Sequence, residues 1–530
     1  MDMSKKIWNK MAVAVISGML ISGSMVGSMT GIVFAESEAT MLEATVPDAV
    51  TEGIVQTTAG KIQGTKNNEI YQYLGVPYAE AKERFVPAGK VTPWEGVRVA
   101  DSYGSMSPQG AIMGMAAGGD REGTDNNCQN LNIWTPGIYD GKKRPVMVWL
   151  HGGGFSTGTA NDGSVNGTNL SQNGDVVVVG VNHRLNIFGH LDLSAYGEKY
   201  QYSGNVGVMD IAAALQWIQD NIENFGGDPD NVTIFGQSGG GAKVLALMTT
   251  PYAQGLFHKG IVQSGATDTL GVTFTSKEAS LKLTERILEN LNISAENIED
   301  LQNVSTGDLM EASNQALQDT AEEFKIPAPL TEGYAMEWGP VVDGDYIPTN
   351  PVTEDSFADA GKDIPLLIGS NLNEWTAFMS AGTEVSDEVF RAYEAAYPNE
   401  DPTRAGNVDS LIRLPVLKIM SHKADQNGAA VYSYVFTYDG QMGAYHGAEI
   451  PFVFKNLEDQ QDAEVQTLED QISQAWVSFA RNGVPEAEGM PEWEEYDREN
   501  GATMLLDITS QLVYHHDKEL MALLEPEYIY

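Results

Sequence analysis

A serine set among glycines at the end of an apolar run is the first place in this chain where covalent chemistry could occur. Ser238 stands in Gly236-Gln237-Ser238-Gly239-Gly240, directly after Val232-Thr233-Ile234-Phe235. That is the G-x-S-x-G spacing of a nucleophile elbow, where a strand turns so sharply into a helix that the serine backbone is strained. Small neighbours permit the turn, and the hydroxyl is left exposed near the positive end of the helix. The pattern is weak alone, because glycine and serine also build ordinary turns. A serine that transfers acyl groups needs three further parts. These are a base in hydrogen-bond reach, a carboxylate to orient it, and N–H donors for the developing oxyanion.

The donors are expected in His151-Gly152-Gly153-Gly154-Phe155, which follows the apolar run 146–150. Consecutive glycines let backbone N–H groups face a site with no side chain in the way. Gly153 and Gly154 N–H are assigned there, together with the N–H of Gly239. With such an elbow the chain order is serine, acid, histidine. His258, His422, His446, His515 and His516 follow Ser238. His258 comes too soon, His422 lies in a helix-like polar segment, and His515 and His516 stand in a charged C-terminal stretch. His446 follows the buried run 431–436 in the glycine-bearing loop Gly443-Ala444-Tyr445-His446-Gly447, the best place for the base. For the acid, Glu374 follows the run 365–369, with the apolar Trp375 beside it.

The elements that must carry these residues read as strands alternating with helices. Near-continuous apolar runs at 146–150, 175–181, 232–235, 260–263, 365–369 and 431–436 suit strands buried on both faces. Helical spacing covers 208–222 and stops before Gly226-Gly227-Asp228-Pro229. Thr275-Ser276-Lys277-Glu278 offers a capping box for a helix to about residue 291, and 465–481 reads as another helix. The expected class is α/β: one large, mainly parallel sheet flanked by helices, with a helical insertion at about 270–335 over the active-site end. Residues 51–530 are read as one domain and 36–50 as a flexible lead-in.

Among the 530 residues, 73 Asp and Glu face 31 Lys and Arg, a formal net charge of −42. Such a surface repels nucleic acid and anionic membranes, so neither is an expected partner. The first 35 residues differ. Lys5, Lys6 and Lys10 precede an apolar stretch of small residues that ends in Val33-Phe34-Ala35. This reads as a secretory signal peptide cleaved after Ala35, with a retained anchor as the rival, and no stable membrane insertion is expected after cleavage. The single cysteine, Cys128, cannot form an intrachain disulfide and is expected to pack as a small buried side chain. No metal-ligand cluster stands out, and no metal or cofactor is expected.

These residues resemble the type-B carboxylesterases, the carboxylesterase/cholinesterase/para-nitrobenzyl esterase family of α/β-hydrolases. The resemblance runs from about residue 52 to 498. It is carried by Gly75-Val76-Pro77-Tyr78-Ala79, Leu131-Asn132-Ile133-Trp134-Thr135-Pro136, Asn182-His183-Arg184-Leu185-Asn186, Asn224-Phe225-Gly226-Gly227-Asp228-Pro229, Gly339-Pro340-Val341-Val342-Asp343-Gly344 and the loop from His446. It implies a triad of Ser238, Glu374 and His446, an ion pair of Arg184 with Asp210, and Ser264 as a neighbour supporting the triad. It also implies a small-molecule carboxylic ester as substrate. A lipase, an amide or carbamate hydrolase, and a catalytically dead binding protein are the alternatives.

Departures from the family pattern matter. Gln237 replaces its usual glutamate, which removes a charge beside the triad. Gly239 replaces its usual alanine, which is expected to free space beside the serine. Asn126-Asn127 replace an acidic pair, so Asp125 or Glu122 is the expected substitute partner of Arg84. Residues 109–119 occupy the family's gorge-covering loop and are expected to form a mobile apolar lid.

Overall fold

The computed structural model describes residues 52–110, 123–266, 274–328, 333–376, 384–440, 442–458 and 462–529. Its centre is one sheet of eleven strands. In chain order these are β1 Thr65–Asn67, β2 Ile70–Pro77, β3 Asn130–Thr135, β4 Arg144–Leu150, β5 Val177–Val181, β6 Gly227–Gln237, β7 Lys259–Gln263, β8 Leu366–Asn371, β9 Val431–Phe436, β10 Ala502–Leu506 and β11 Gln511–Tyr514. Across the sheet they run β11-β10-β9-β8-β7-β6-β4-β5-β3-β2-β1. The stretch from β5 to β10 is parallel throughout. The strands beyond it, β1 to β3 at one edge and β11 at the other, pair antiparallel.

All six expected strands are present, five of them with shifted ends. The run expected from 175 begins at Val177, because Asp175 takes φ 46° and caps the helix Thr168–Gly174. Strand β6 starts at Gly227, inside the expected breaker, and its pairing with β4 is irregular between Arg144 and Val146. Every residue of β4, β5, β7, β8 and β9 is buried, which is why these segments show no polar alternation.

The helices include α1 Val206–Asn221, α2 Gly239–Thr249, α3 Lys277–Asn290, α4 Thr306–Phe324, α5 Arg413–Asp425 and α6 Ala463–Asn482. The expected capping box is not formed. Ser276 rather than Thr275 is the N-cap, accepting from Ala279 N, so the glutamate falls one position short of the reciprocal bond. Leu283 and Ile287 of α3 join Leu309, Ala312 and Ala316 of α4 with Phe85, Phe188 and Trp338 in a second apolar cluster apart from the main core. Among the described residues no helix is long and apolar enough to cross a membrane.

Parallel strands in register bring their carboxyl ends together, and ligands bind such sheets there. Gln237 is paired with Gln263, and Gln263 with Gly369. The segments after β4, β6, β7, β8 and β9 therefore meet at one edge. They carry His151, Ser238, Ser264, Glu374 and His446.

Candidate active site

Ser238 leaves β6 at φ 57° and ψ −127° and is the N-cap of α2. A serine held at positive φ costs on the order of 1–3 kcal/mol, which its surroundings must offset. Here the Ser238 N–H donates to Gln263 O at 2.8 Å. The next strand repeats the device, with Ser264 at φ 48° and its N–H on Gly369 O at 2.8 Å. Ser264 is thus held beside the elbow, its Oγ buried with no hydrogen-bond partner among the described residues.

His446 and Glu374 are joined twice. The imidazole Nδ1 lies 2.6 Å from Glu374 Oε2, and His446 N donates to Glu374 O at 2.8 Å. The other carboxylate oxygen accepts from Asn371 N at 2.7 Å, so backbone on both sides fixes the acid. Trp375 stacks on the imidazole with ring centroids 5.3 Å apart. The histidine loop reaches the elbow at Gly447, where a Cβ would lie 3.8 Å from the Gln237 amide nitrogen. A Cβ on Gly152 would lie 3.5 Å from that of Ser238. Gln237 is thus held between the two glycine loops, its Nε2 buried and unpartnered among the described residues.

Burial opposes charge on the His446 imidazole, yet its pKa is raised, because the Glu374 charge and hydrogen bond outweigh it. Glu449 and Asp409 add to that pull. Sequence reasoning missed both. Glu449 accepts from Gln263 Nε2 at 3.0 Å and from Asn371 Nδ2 at 2.7 Å, and burial, then the Glu374 charge, pushes it up. Asp409 accepts from the Trp375 indole at 2.9 Å and from Ile412 and Arg413 N at 3.0 Å each. The only sequence signal for Glu449 is its place three residues after His446.

The glycine loop after β4 is pinned by its carbonyls. Gly152 O accepts from His151 Nδ1 at 2.9 Å, Gly153 O from Thr157 N at 3.0 Å, and His151 O and Gly154 O from Lys243 Nζ at 2.8 and 2.9 Å. Gly153 has φ 85°, and a side chain there would strike Thr157 O at 2.6 Å. Gly239 does not free space beside the serine. The backbone of Gly154 fills that space, so closely that a methyl on Gly239 would overlap Gly154 N and Cα.

Arg184 and Asp210 form a fully buried, two-point ion pair at 2.8 and 2.7 Å. Asp210 also accepts from Arg184 N at 3.1 Å and Gln129 Nε2 at 3.0 Å, and Arg184 donates to Val86 O at 2.7 Å. Asp210→Asn is expected to destabilise the fold by about 3–5 kcal/mol, because the guanidinium is left buried without its counter-charge. Urea unfolding checks this.

Cys128 is buried, and burial raises its thiol. Arg84 donates to Val304 O at 2.5 Å and lies over Phe188, and Asp125 accepts from Asn127 N. Glu122 and most of the expected lid fall in 111–122, outside the described residues. No group of three His, Cys, Asp or Glu side chains among the described residues is set to hold a metal ion.

A family model described as "Carboxylesterase family" matches residues 51–399 and 402–522. The para-nitrobenzyl esterase of Bacillus subtilis (strain 168) is 33% identical over 500 residues, spanning 89% of this chain and 97% of that protein. A Clostridium hathewayi esterase that can hydrolyze aliphatic aromatic polyesters superposes with a TM-score of 0.79 at 34% identity, covering 90% of this chain and 98% of that one. A Geobacillus stearothermophilus carboxylesterase gives 0.73 at 32% identity, covering 89% and 99%. Matched over nearly its whole described length by the family model and by these esterases, the chain belongs to the carboxylesterase family of the α/β-hydrolase fold and is a carboxylic ester hydrolase.

Proposed function

We propose that Ser238 is the nucleophile, His446 the base and Glu374 the orienting acid of a serine carboxylesterase acting on small-molecule esters. The observation that carries this is the 2.6 Å contact between His446 Nδ1 and Glu374 Oε2 in the loops that flank the elbow. With Nδ1–H donated to the carboxylate, Nε2 is free to take the Ser238 hydroxyl proton. The serine oxygen then bonds to the ester carbonyl carbon, and the carbonyl oxygen becomes an oxyanion held by the amides of Gly153, Gly154 and Gly239. Collapse breaks the bond to the alcohol, which leaves with the proton from His446. Water repeats the sequence, giving its proton to His446 and displacing the acid from Ser238. Arg184–Asp210 braces the strand ends, and Ser264 and Gln237 support the triad from behind.

The test is hydrolysis of p-nitrophenyl esters by the intact chain and by Ser238→Ala, with a fluorophosphonate adduct located by peptide mass spectrometry. An adduct on another residue overturns the assignment.

The same reading has the protein exported. Lys5, Lys6 and Lys10, the apolar stretch behind them and the Val33-Phe34-Ala35 site support a leader removed after Ala35. N-terminal sequencing of the protein from culture medium is expected to begin at Glu36. An intact N-terminus in the membrane fraction would favour an anchor.

A further inference from the structure

Helix α2, which begins at the elbow, is buried along its whole length and carries one charged residue, Lys243. The residue is wholly buried. Its ammonium lies 5.5 Å from the centroid of the Phe155 ring, and among the described residues it has no carboxylate partner. It donates instead to two carbonyls of the glycine loop, His151 O and Gly154 O. A buried ammonium is retained only where such bonds offset its desolvation.

Those two carbonyls bracket the amides assigned to the oxyanion. A peptide unit is planar and trans, so a C=O fixed in one direction fixes the next N–H in the opposite one. Lys243 holds the units before Gly152 and after Gly154. His151 Nδ1 and Thr157 N hold the two between them, which carry the N–H groups of Gly153 and Gly154. Gly239 contributes from the same helix. With no side chain there, the backbone of Gly154 can lie directly against it.

We propose that Lys243 is a positioning residue for this esterase: as an ammonium it clamps the glycine loop onto the elbow helix and aims the Gly153 and Gly154 amides at the ester carbonyl oxygen. The proposal rests on the esterase reading above. The titratable groups facing the ammonium are His151, after β4, His183, after β5, and His190 of the short helix Asn186–His190. All three are held neutral, by burial first and by the Lys243 charge next or later. Arg184 lies beyond His190 with its charge met by Asp210. Burial pulls Lys243 itself down to about 7. A neutral amine donates far more weakly than an ammonium, so the clamp loosens as pH rises through that pKa. Neutral His446 produces the rising limb of the kcat/KM profile, and loss of the Lys243 proton produces the falling limb.

Lys243→Met keeps the volume of the stem and removes the clamp. The expected result is a fall in kcat on the order of 100-fold, KM within about twofold, and loss of the falling limb. Lys243→Gln, which can donate to both carbonyls without charge, is expected to recover part of kcat but still to lack that limb. Gly239→Ala is expected to lower kcat by lifting Gly154 away, with some loss of melting temperature because the added methyl overlaps the Gly154 backbone. Unchanged kcat and an unchanged falling limb in Lys243→Met would overturn the proposal. If that variant does not fold, wild-type kcat together with an unchanged falling limb in Lys243→Gln does the same. The crystal structure of Lys243→Met separates the clamp from the esterase reading. Displaced His151 and Gly154 carbonyls support it whatever the substrate, and an unmoved loop refutes it.

Discussion

Ser238→Ala is expected to lower kcat for a p-nitrophenyl ester by on the order of 10⁶-fold, because nucleophile, base and acid act as a unit and removing the attacking atom leaves nothing for the others to activate. What remains is turnover some 10³–10⁴-fold above water, supplied by the oxyanion amides and by binding. KM should change little, since the Ser238 backbone is held by its N–H to Gln263 O rather than by its hydroxyl. The fold should also survive. Serine already occupies φ 57°, and alanine adds no atom to that strained position. Stopped-flow release of p-nitrophenol separates the cases. The wild type should show one rapid equivalent per active site and the variant none. A variant retaining a tenth of wild-type turnover would locate the chemistry at another residue.

Glu374→Gln is expected to cost on the order of 10⁴-fold in kcat, the scale seen when an orienting carboxylate becomes an amide. The reason lies in the two bonds that the carboxylate accepts. One oxygen takes the Asn371 N–H and the other faces His446 Nδ1. An amide can satisfy Asn371 N only by turning its NH₂ toward the imidazole. Nδ1 must then accept, the proton moves to Nε2, and Nε2 can no longer take the serine proton. The opposite orientation sets NH₂ against the Asn371 N–H. The pH profile should move as well. His446 works as the neutral base, so the rate rises as pH passes its pKa. That pKa is raised by Glu374 against the effect of burial. Removing the charge lowers it, and the rising limb shifts to lower pH. An amide variant within tenfold of wild type, with the limb unmoved, would remove Glu374 from the mechanism.

The residues at this site differ in how far sequence alone betrays them. Ser238, the His151 loop, Glu374 and His446 each follow a continuous apolar run. Such runs are the mark of parallel strands buried on both faces, and their carboxyl ends converge. The outer strands leave no such mark. In β3, Asn130-Leu131-Asn132-Ile133-Trp134-Thr135 mixes polar with apolar residues although every one is buried, because the polar side chains spend their hydrogen bonds on the neighbouring strand β2 and on backbone carbonyls nearby. Lys243 is different again. A lone cation between Gly239-Gly240-Gly241-Ala242 and Val244-Leu245-Ala246-Leu247-Met248 is already odd on a helix with no polar face. Its purpose emerges only when the carbonyls it meets, distant in sequence, are brought beside it. Asp409 has no local signal. Its influence on the histidine comes from a burial that no single stretch of chain encodes.

The lone thiol of Cys128, sealed in the interior and pushed toward its protonated form, is inert to ordinary alkylating reagents while the fold holds. The protein therefore comes with a blank background for site-directed labelling. A single cysteine placed anywhere on its surface would be the one reactive sulfur, and a pair would report distances across the mouth of the site without any prior removal of native residues.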